Sequence, residues 1–286
     1  MDLALNRPAW FPAARRFNDA IGHCSNYPLA YVYGTFLAMS GHILGRGTSI
    51  RYATPLYPNH YICLVGPSAL THKSTALGLG LESLGDTLAG MYPLRSLTTR
   101  QGLLLALQNN GGTGLAVLDE LASLILKRQD FASDLIAAIV ELYTCPSVTG
   151  TYTRYNPIQV ERVFLTILSG STTEWLRQGL TATHMMAGFG NRMTFILGDP
   201  RKAQSWPQPP LFNNLSWEPL WKYHAILRLS EDAKVVWHDF YSKFDAQQRT
   251  TPPFLRVLRE RIPEKILKAA MVMSAWRNVG MVDGDL

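Results

Sequence analysis

Tyr61-Ile-Cys-Leu-Val-Gly-Pro-Ser-Ala-Leu-Thr-His-Lys-Ser-Thr75 changes character twice within one short run. It opens on an unbroken apolar segment, Tyr61 to Val65, whose length and β-branched content suit a strand buried on both faces. Gly66-Pro67 makes a tight turn, small polar residues follow, and Lys73-Ser74-Thr75 leads into a Leu/Ala/Gly run of helical character. A strand, a small-residue turn, a lysine and a hydroxyl opening a helix are parts that bind phosphate. Backbone N–H groups wrap the anion, the helix N-terminus adds partial positive charge, and the hydroxyl holds Mg²⁺.

These are the parts of the phosphate loop of nucleoside triphosphatases, in a loose version. The usual pattern has four residues between its first glycine and a Gly-Lys pair. Here six residues separate Gly66 from Lys73, and His72 stands before the lysine. Gly66, Pro67, Ser68, His72, Lys73, Ser74 and Thr75 are the nucleotide-binding candidates. A plain strand-to-helix turn with a surface lysine explains the run equally well, so the rest of the chain has to separate the two.

Downstream, Arg100 to Gln108 reads as a helix ended by Asn109-Asn-Gly-Gly112. Gly114-Leu-Ala-Val-Leu-Asp-Glu120 is then a second buried strand ending in two carboxylates. A carboxylate at a strand's C-terminal end can hold hydrated Mg²⁺, and its neighbour can polarise a water as general base. Asp119 is therefore the metal candidate, with Ser74 or Thr75, and Glu120 the catalytic base. Phe164-Leu-Thr-Ile-Leu-Ser-Gly-Ser-Thr172 is a third buried strand with hydroxyls at its tip. Spacing does not choose among Ser169, Ser171 and Thr172; Ser171 is carried forward as the catalytic candidate. Asn191-Arg-Met-Thr-Phe-Ile-Leu197 is a fourth strand led by Arg192, a surface charge or an arginine reaching a neighbouring subunit's nucleotide.

Between these lie further elements. A helix is expected from Ser74 to about Ala89, a short strand over Leu94–Thr98, and a helical stretch over Leu121–Tyr143 with a polar break at residues 127–130. Alternating residues on both sides of Asn156-Pro157 read as a β-hairpin near 147–163, whose tip carries Arg154 and Tyr155. A cation and an aromatic there suit a phosphate and a base face, although an ordinary exposed hairpin has the same pattern. Two helices near 13–24 and 27–44 precede the Tyr61 strand. The Pro/Trp/Asn-rich stretch 201–219 reads as a linker. Helices follow over 220–228, from Ser230 to about Gln247, over 254–261 and from Pro263 to about Arg277. Met281-Val-Asp-Gly-Asp-Leu286 breaks off soon after a helix, as a fragment would.

Composition limits the classes. The chain has 286 residues, 47% hydrophobic and 17% charged, which fits a folded core rather than long disorder. A net charge of +6 suits an anionic partner without demanding one. Cys24, Cys63 and Cys145 show no C-x-x-C spacing and read as buried thiols of a reducing cytoplasm. No apolar run reaches membrane-spanning length and Met1-Asp-Leu-Ala-Leu-Asn-Arg-Pro8 lacks a signal peptide's pattern, so a cytoplasmic protein is expected.

Tyr57-Pro-Asn59, Leu64-Val-Gly-Pro-Ser68, Lys73 with Thr75, Asp119-Glu120 and Gly188-Phe-Gly-Asn-Arg-Met193 together carry a resemblance over residues 25–280. The chain resembles the P-loop ATPases of bacteria, phages and integrated elements that sit beside or are fused to DNA primases, relatives of AAA+ proteins and superfamily 3 helicases. The resemblance implies an αβα P-loop NTPase (AAA+/ASCE-like) sandwich with parallel sheet order 5-1-4-3-2. The chain's own pattern divides it into a helical N-terminal segment over 1–55, a core over 56–200 and, after the linker, a helical C-terminal lid over 220–286. The resemblance further implies ATP and Mg²⁺ as ligands, a homo-oligomeric ring acting on single-stranded DNA beside a primase, and a hairpin facing the DNA channel through Arg154. Ala69, Leu70, Thr71 and His72 depart from the family's small residues. That departure favours a nucleotide-binding, DNA-binding assembly protein with a non-hydrolysing site, which the intact Asp119-Glu120 pair disfavours; the hairpin and Arg192 speak against a third reading, a kinase-like phosphotransferase with a small acceptor.

Overall fold

The computed structural model describes residues 11–88, 92–124, 129–151, 157–180, 187–202 and 205–278. Helices α1 (Pro12–Ile21) and α2 (Leu29–Leu44) precede β1 (Thr48–Arg51), β2 (Pro55–Leu56), β3 (Tyr61–Val65) and α3 (Lys73–Glu82). Next come α4 (Arg100–Asn109), β4 (Thr113–Leu118), α5 (Gln129–Leu142), β5 (Val148–Thr151), β6 (Ile158–Glu161) and β7 (Phe164–Ser171). Then follow α6 (Thr173–Gly179), the single turn α7 (Phe189–Arg192), β8 (Thr194–Leu197) and the single turn α8 (Glu218–Trp221). The chain continues through β9 (Ala225–Leu227), α9 (Glu231–Thr250), α10 (Pro253–Arg259) and α11 (Ile262–Trp276).

The protein is α/β, built on a four-stranded, all-parallel sheet in the order β4-β7-β3-β8. Beyond β4 the expected strand over 94–98 shrinks to one parallel bridge, Leu94 with Ala116. Leu97 is buried in the core beside α4 without pairing to the sheet. Alternation along the strands splits the core in two. Ile62, Leu64, Leu115, Val117 and Leu168 share one apolar cluster with residues of α1, α2, α3 and α11. Tyr61, Cys63, Val65, Ala116, Leu118, Leu165 and Ile167 share the other with α4 and α5.

Helix α2 is apolar nearly all round because it is enclosed nearly all round, by α1, α3, α11 and the sheet. Phe36 stacks on Trp217 and Trp276, at 6.5 and 6.0 Å between ring centroids. Thus α11, at the end of the stretch expected as a lid, is built into the same core as the N-terminal helices. The stretch expected as a linker is also tied down. The Arg201 N–H donates to Asn26 O at 3.1 Å, the Leu211 N–H to Ala20 O at 2.9 Å, and Trp217 Nε1 to Ser83 O at 2.7 Å.

Several expectations need correction. The helix over 220–228 is one turn, and Ala225–Leu227 instead pairs in parallel with Thr48–Ile50 in a small sheet β2-β1-β9, an edge offered by a distant segment. The fourth strand begins at Thr194; Gly188, at φ 91°, starts a helical turn that absorbs Arg192. Helix α3 stops at Glu82, with Gly85 at φ 45° opening a 3₁₀ turn to Leu88. Leu121–Leu124 is likewise 3₁₀, so the helical stretch after the acidic strand starts anew at Gln129. Strands β5 and β6 pair antiparallel, and the expected tip residues Arg154 and Tyr155 lie outside the described residues. All three cysteines are buried and free. Among the described residues no helix is long and apolar enough to cross a membrane.

Candidate functional site

Parallel pairing sets the C-terminal ends of three strands side by side, with Val65 opposite Ser171 and Leu118 opposite Ser169. The turn after β3 hangs from this edge. Its Gly66 N–H donates to Ser171 O at 3.3 Å, and the Leu70 N–H donates to Ser68 O at 2.8 Å. The Thr71 hydroxyl donates to Pro67 O at 2.9 Å. Two non-glycine residues bend it through left-handed backbone, Ala69 at φ 61° and His72 at φ 46°. His72 therefore occupies the place where the usual pattern has glycine, and its backbone takes the conformation glycine serves there. From α2, the Tyr31 hydroxyl donates to Val65 O at 2.7 Å. A Cβ on Gly66 would collide with that hydroxyl and meet Thr71 Oγ1 at 2.8 Å, so the turn has no room for a side chain there.

Lys73 begins α3, and the His72 side chain does not cap it. The N–H groups of Lys73, Ser74 and Thr75 thus open the helix with no intrahelical acceptor, an arrangement that attracts anions. The Lys73 ammonium folds back onto the loop, donating to Gly66 O at 2.7 Å and Pro67 O at 3.2 Å. Burial lowers its pKa, while Glu120 opposes the shift. Pro67, Ser68, His72, Ser74 and Thr75 are exposed.

Across the edge, Glu120 Oε1 accepts the Ala122 N–H at 3.0 Å and also the Ser171 hydroxyl. That contact distinguishes the three hydroxyl candidates. Ser169 instead donates to Ile62 O at 3.1 Å, and Thr172 accepts the Trp175 N–H at 3.1 Å to cap α6. Asp119 is exposed beside them. Gly170 holds the parts close together: a Cβ there would meet Asp119 O at 3.0 Å and Lys73 Cβ at 3.4 Å. A cation, a carboxylate bonded to a hydroxyl, a second carboxylate and two exposed hydroxyls thus surround one helix N-terminus. Among the described residues no group of three His, Cys, Asp or Glu could itself hold a metal. The donors Asp119, Ser74 and Thr75 suit a Mg²⁺ that keeps most of its waters and shares phosphate oxygens.

Arg192 does not join this group. It sits before β8, at the N-terminal end of the sheet, where Thr194 pairs with Ile62. Its guanidinium donates to Gly188 O at 2.9 Å and Asn191 Oδ1 at 3.3 Å, and lies 5.8 Å from the Tyr143 ring centroid. Burial, followed by the charge of Arg261, lowers its pKa. Sequence reading missed Tyr31, Thr71 and Gly170. Gly170 had a weak signal in the small-residue run Ser169-Gly-Ser171; Tyr31 had none, because only the fold brings α2 to the turn.

No protein-family model matches the chain, and no curated protein matches it either.

Proposed function

We propose that the chain is a P-loop ATPase of the AAA+ kind, an oligomeric motor that moves on or remodels DNA during replication of a phage or mobile element. The observation that carries this reading is the meeting of Lys73, Ser171 and Glu120 at one sheet edge above an uncapped helix N-terminus. The sheet supports it too: counting Leu94 as a vestigial second strand, the order β8-β3-β7-β4-Leu94 is 5-1-4-3-2. In this reading the loop N–H groups and Lys73 hold the β- and γ-phosphates. Asp119 and Ser74 or Thr75 would hold Mg²⁺, which supplies charge neutralisation when bound. Glu120 orients the attacking water and takes its proton, while Ser171 fixes the carboxylate's direction. Arg192 would act on a neighbouring subunit's nucleotide.

The test is Mg²⁺-dependent ATP hydrolysis with and without single-stranded DNA. Turnover is expected to rise with DNA and to fall by at least about 100-fold in both Lys73→Ala and Glu120→Gln, the scale of a lost general base. Undiminished turnover in Lys73→Ala would overturn the assignment. A second reading, a nucleotide-binding switch that does not hydrolyse, draws support from the Lys73 ammonium being engaged by the loop's own carbonyls. Saturable nucleotide binding by an assembled protein without turnover would favour it.

A further inference from the structure

A concavity of about 530 Å³, lined by no residue of the phosphate loop, lies where β1 and the residues after β9 meet α9 and α11. Its floor includes Ile50 and Leu267, which belong to a small apolar cluster of their own. Two aromatic residues line it: Tyr52, 44% exposed, and Trp237, partly buried against that cluster.

Charge makes the cleft unusual. Ile50 pairs with Leu227 in parallel, so the next residues, Arg51 and Arg228, emerge side by side from adjacent strands. Strands in a sheet lie about 4.8 Å apart, and like charges on neighbours repel. Both arginines are exposed and line the cleft. Among the described residues neither has a carboxylate within ion-pair range; the lining carboxylate, Glu231, is taken by Lys234 at 2.6 Å. Two adjacent guanidinium groups outside any ion pair among the described residues are what an incoming anion would relieve, and the rings beside them offer a planar group a stacking face.

We propose that this cleft binds one nucleotide unit of a single-stranded nucleic acid, with phosphate against Arg51 and Arg228 and base against Tyr52 and Trp237. An acidic peptide would use the arginines but would leave the two rings without a planar partner. The site is separate from the phosphate loop and from the β5–β6 hairpin, and does not require ATP turnover.

The experiment is fluorescence anisotropy of a labelled single-stranded oligonucleotide over a salt series, without nucleotide, in the parent chain and in Lys73→Ala. Both should bind alike, which separates this site's fate from that of the ATPase reading. Arg51→Ala/Arg228→Ala should bind at least about tenfold more weakly. Because the double variant neutralises one fewer phosphate, its log K against log salt slope should shrink by about 0.7. Tyr52→Ala, an exposed position, should weaken binding by about tenfold with the slope unchanged. Unchanged melting temperatures would confirm that these variants fold. The proposal is overturned if the parent does not bind the strand, or if the double variant keeps its affinity and slope. It is equally overturned if polyglutamate of matched charge displaces the strand at equal concentration.

Discussion

His72 is exposed at its side chain and left-handed at its backbone, so its stability effect comes from conformation rather than contacts. A non-glycine residue held there costs about 1–2 kcal/mol, and a β-branched residue more. His72→Gly removes that strain but loosens the unfolded chain, so its stability should equal or slightly exceed the parent's. His72→Val should lower it by about 1–2 kcal/mol; urea denaturation reads both, and an unchanged midpoint in His72→Val would contradict the argument. Lys268 poses the opposite case, a charge with contacts and no water. Its ammonium donates to Asn59 Oδ1 at 2.6 Å and Asn59 O at 3.0 Å, and sits 3.6 Å from the Tyr143 ring centroid. Burial nevertheless pulls its pKa from 10.5 down to about 7. The folded value lies below the unfolded one, so between these values the unfolded chain binds the proton more readily. Stability should therefore rise with pH above about 7, by at most about 1.4 kcal/mol per unit from this group, and the penalty should be complete below it. Lys265, lowered to about 8 by burial, acts in the same direction. Urea unfolding of the parent and Lys268→Met at pH 7 and pH 9 checks this: the parent should gain more stability than the variant. Parallel pH profiles would refute it.

Helix α2 meets the segment before β3 backbone to backbone at Gly41, where a Cβ would collide with Pro58 O and meet His60 Cδ2 at 3.0 Å. A carbonyl fixed at a strand entry cannot give way as a side-chain tip can, so Gly41→Ala should cost about 1–3 kcal/mol. Gly78 in α3 is the control: a Cβ there meets nothing within 4 Å, and Gly78→Ala should stabilise by about 0.5–1 kcal/mol. Thermal or urea unfolding of the pair tests whether the tight contact or the glycine itself matters. The same contrast explains what could be read from sequence. Tyr61–Val65, Gly114–Leu118 and, up to its polar tip, Phe164–Leu168 announce themselves because strands buried on both faces are apolar nearly throughout. The hairpin declares itself through alternation around Asn156-Pro157. Ala225–Leu227 does not, because its strand identity is conferred by Thr48–Ile50, far away in sequence. Nor does the turn holding Arg192, which depends on one left-handed glycine. In the candidate site Lys73, Asp119 and Glu120 were legible as chemistry at element ends. Tyr31, Thr71 and Gly170 serve the site only through packing, which leaves little trace in a linear pattern.

Across the whole molecule, the polarity of the sheet constrains what Arg192 can do. It precedes β8 at the end of the sheet opposite the turn after β3. From Ile62, the level at which β8 begins, to Gly66 is four residues, about 13 Å along a strand. The guanidinium is also held on its own side by Gly188 O and Asn191 Oδ1. A single copy therefore keeps Arg192 and Lys73 at opposite ends, and any action of this arginine on nucleotide has to be on a neighbour's. That requirement makes a mixing experiment decisive. Arg192→Ala retains an intact phosphate loop but lacks the arginine, whereas Lys73→Ala supplies the arginine but lacks the lysine. Each alone should be strongly impaired, the first by about 10³-fold if Arg192 works as an arginine finger. Mixed at concentrations where the protein assembles, they should recover turnover in excess of the sum of the two, because some interfaces then combine a sound loop with a sound arginine. If the mixture only adds, Arg192 serves the fold around Tyr143 rather than the neighbouring nucleotide. Substituting Arg192→Lys separates these outcomes further. It preserves a charge over the Tyr143 ring but lacks the planar fork suited to a phosphoryl group, so stability should survive while turnover does not.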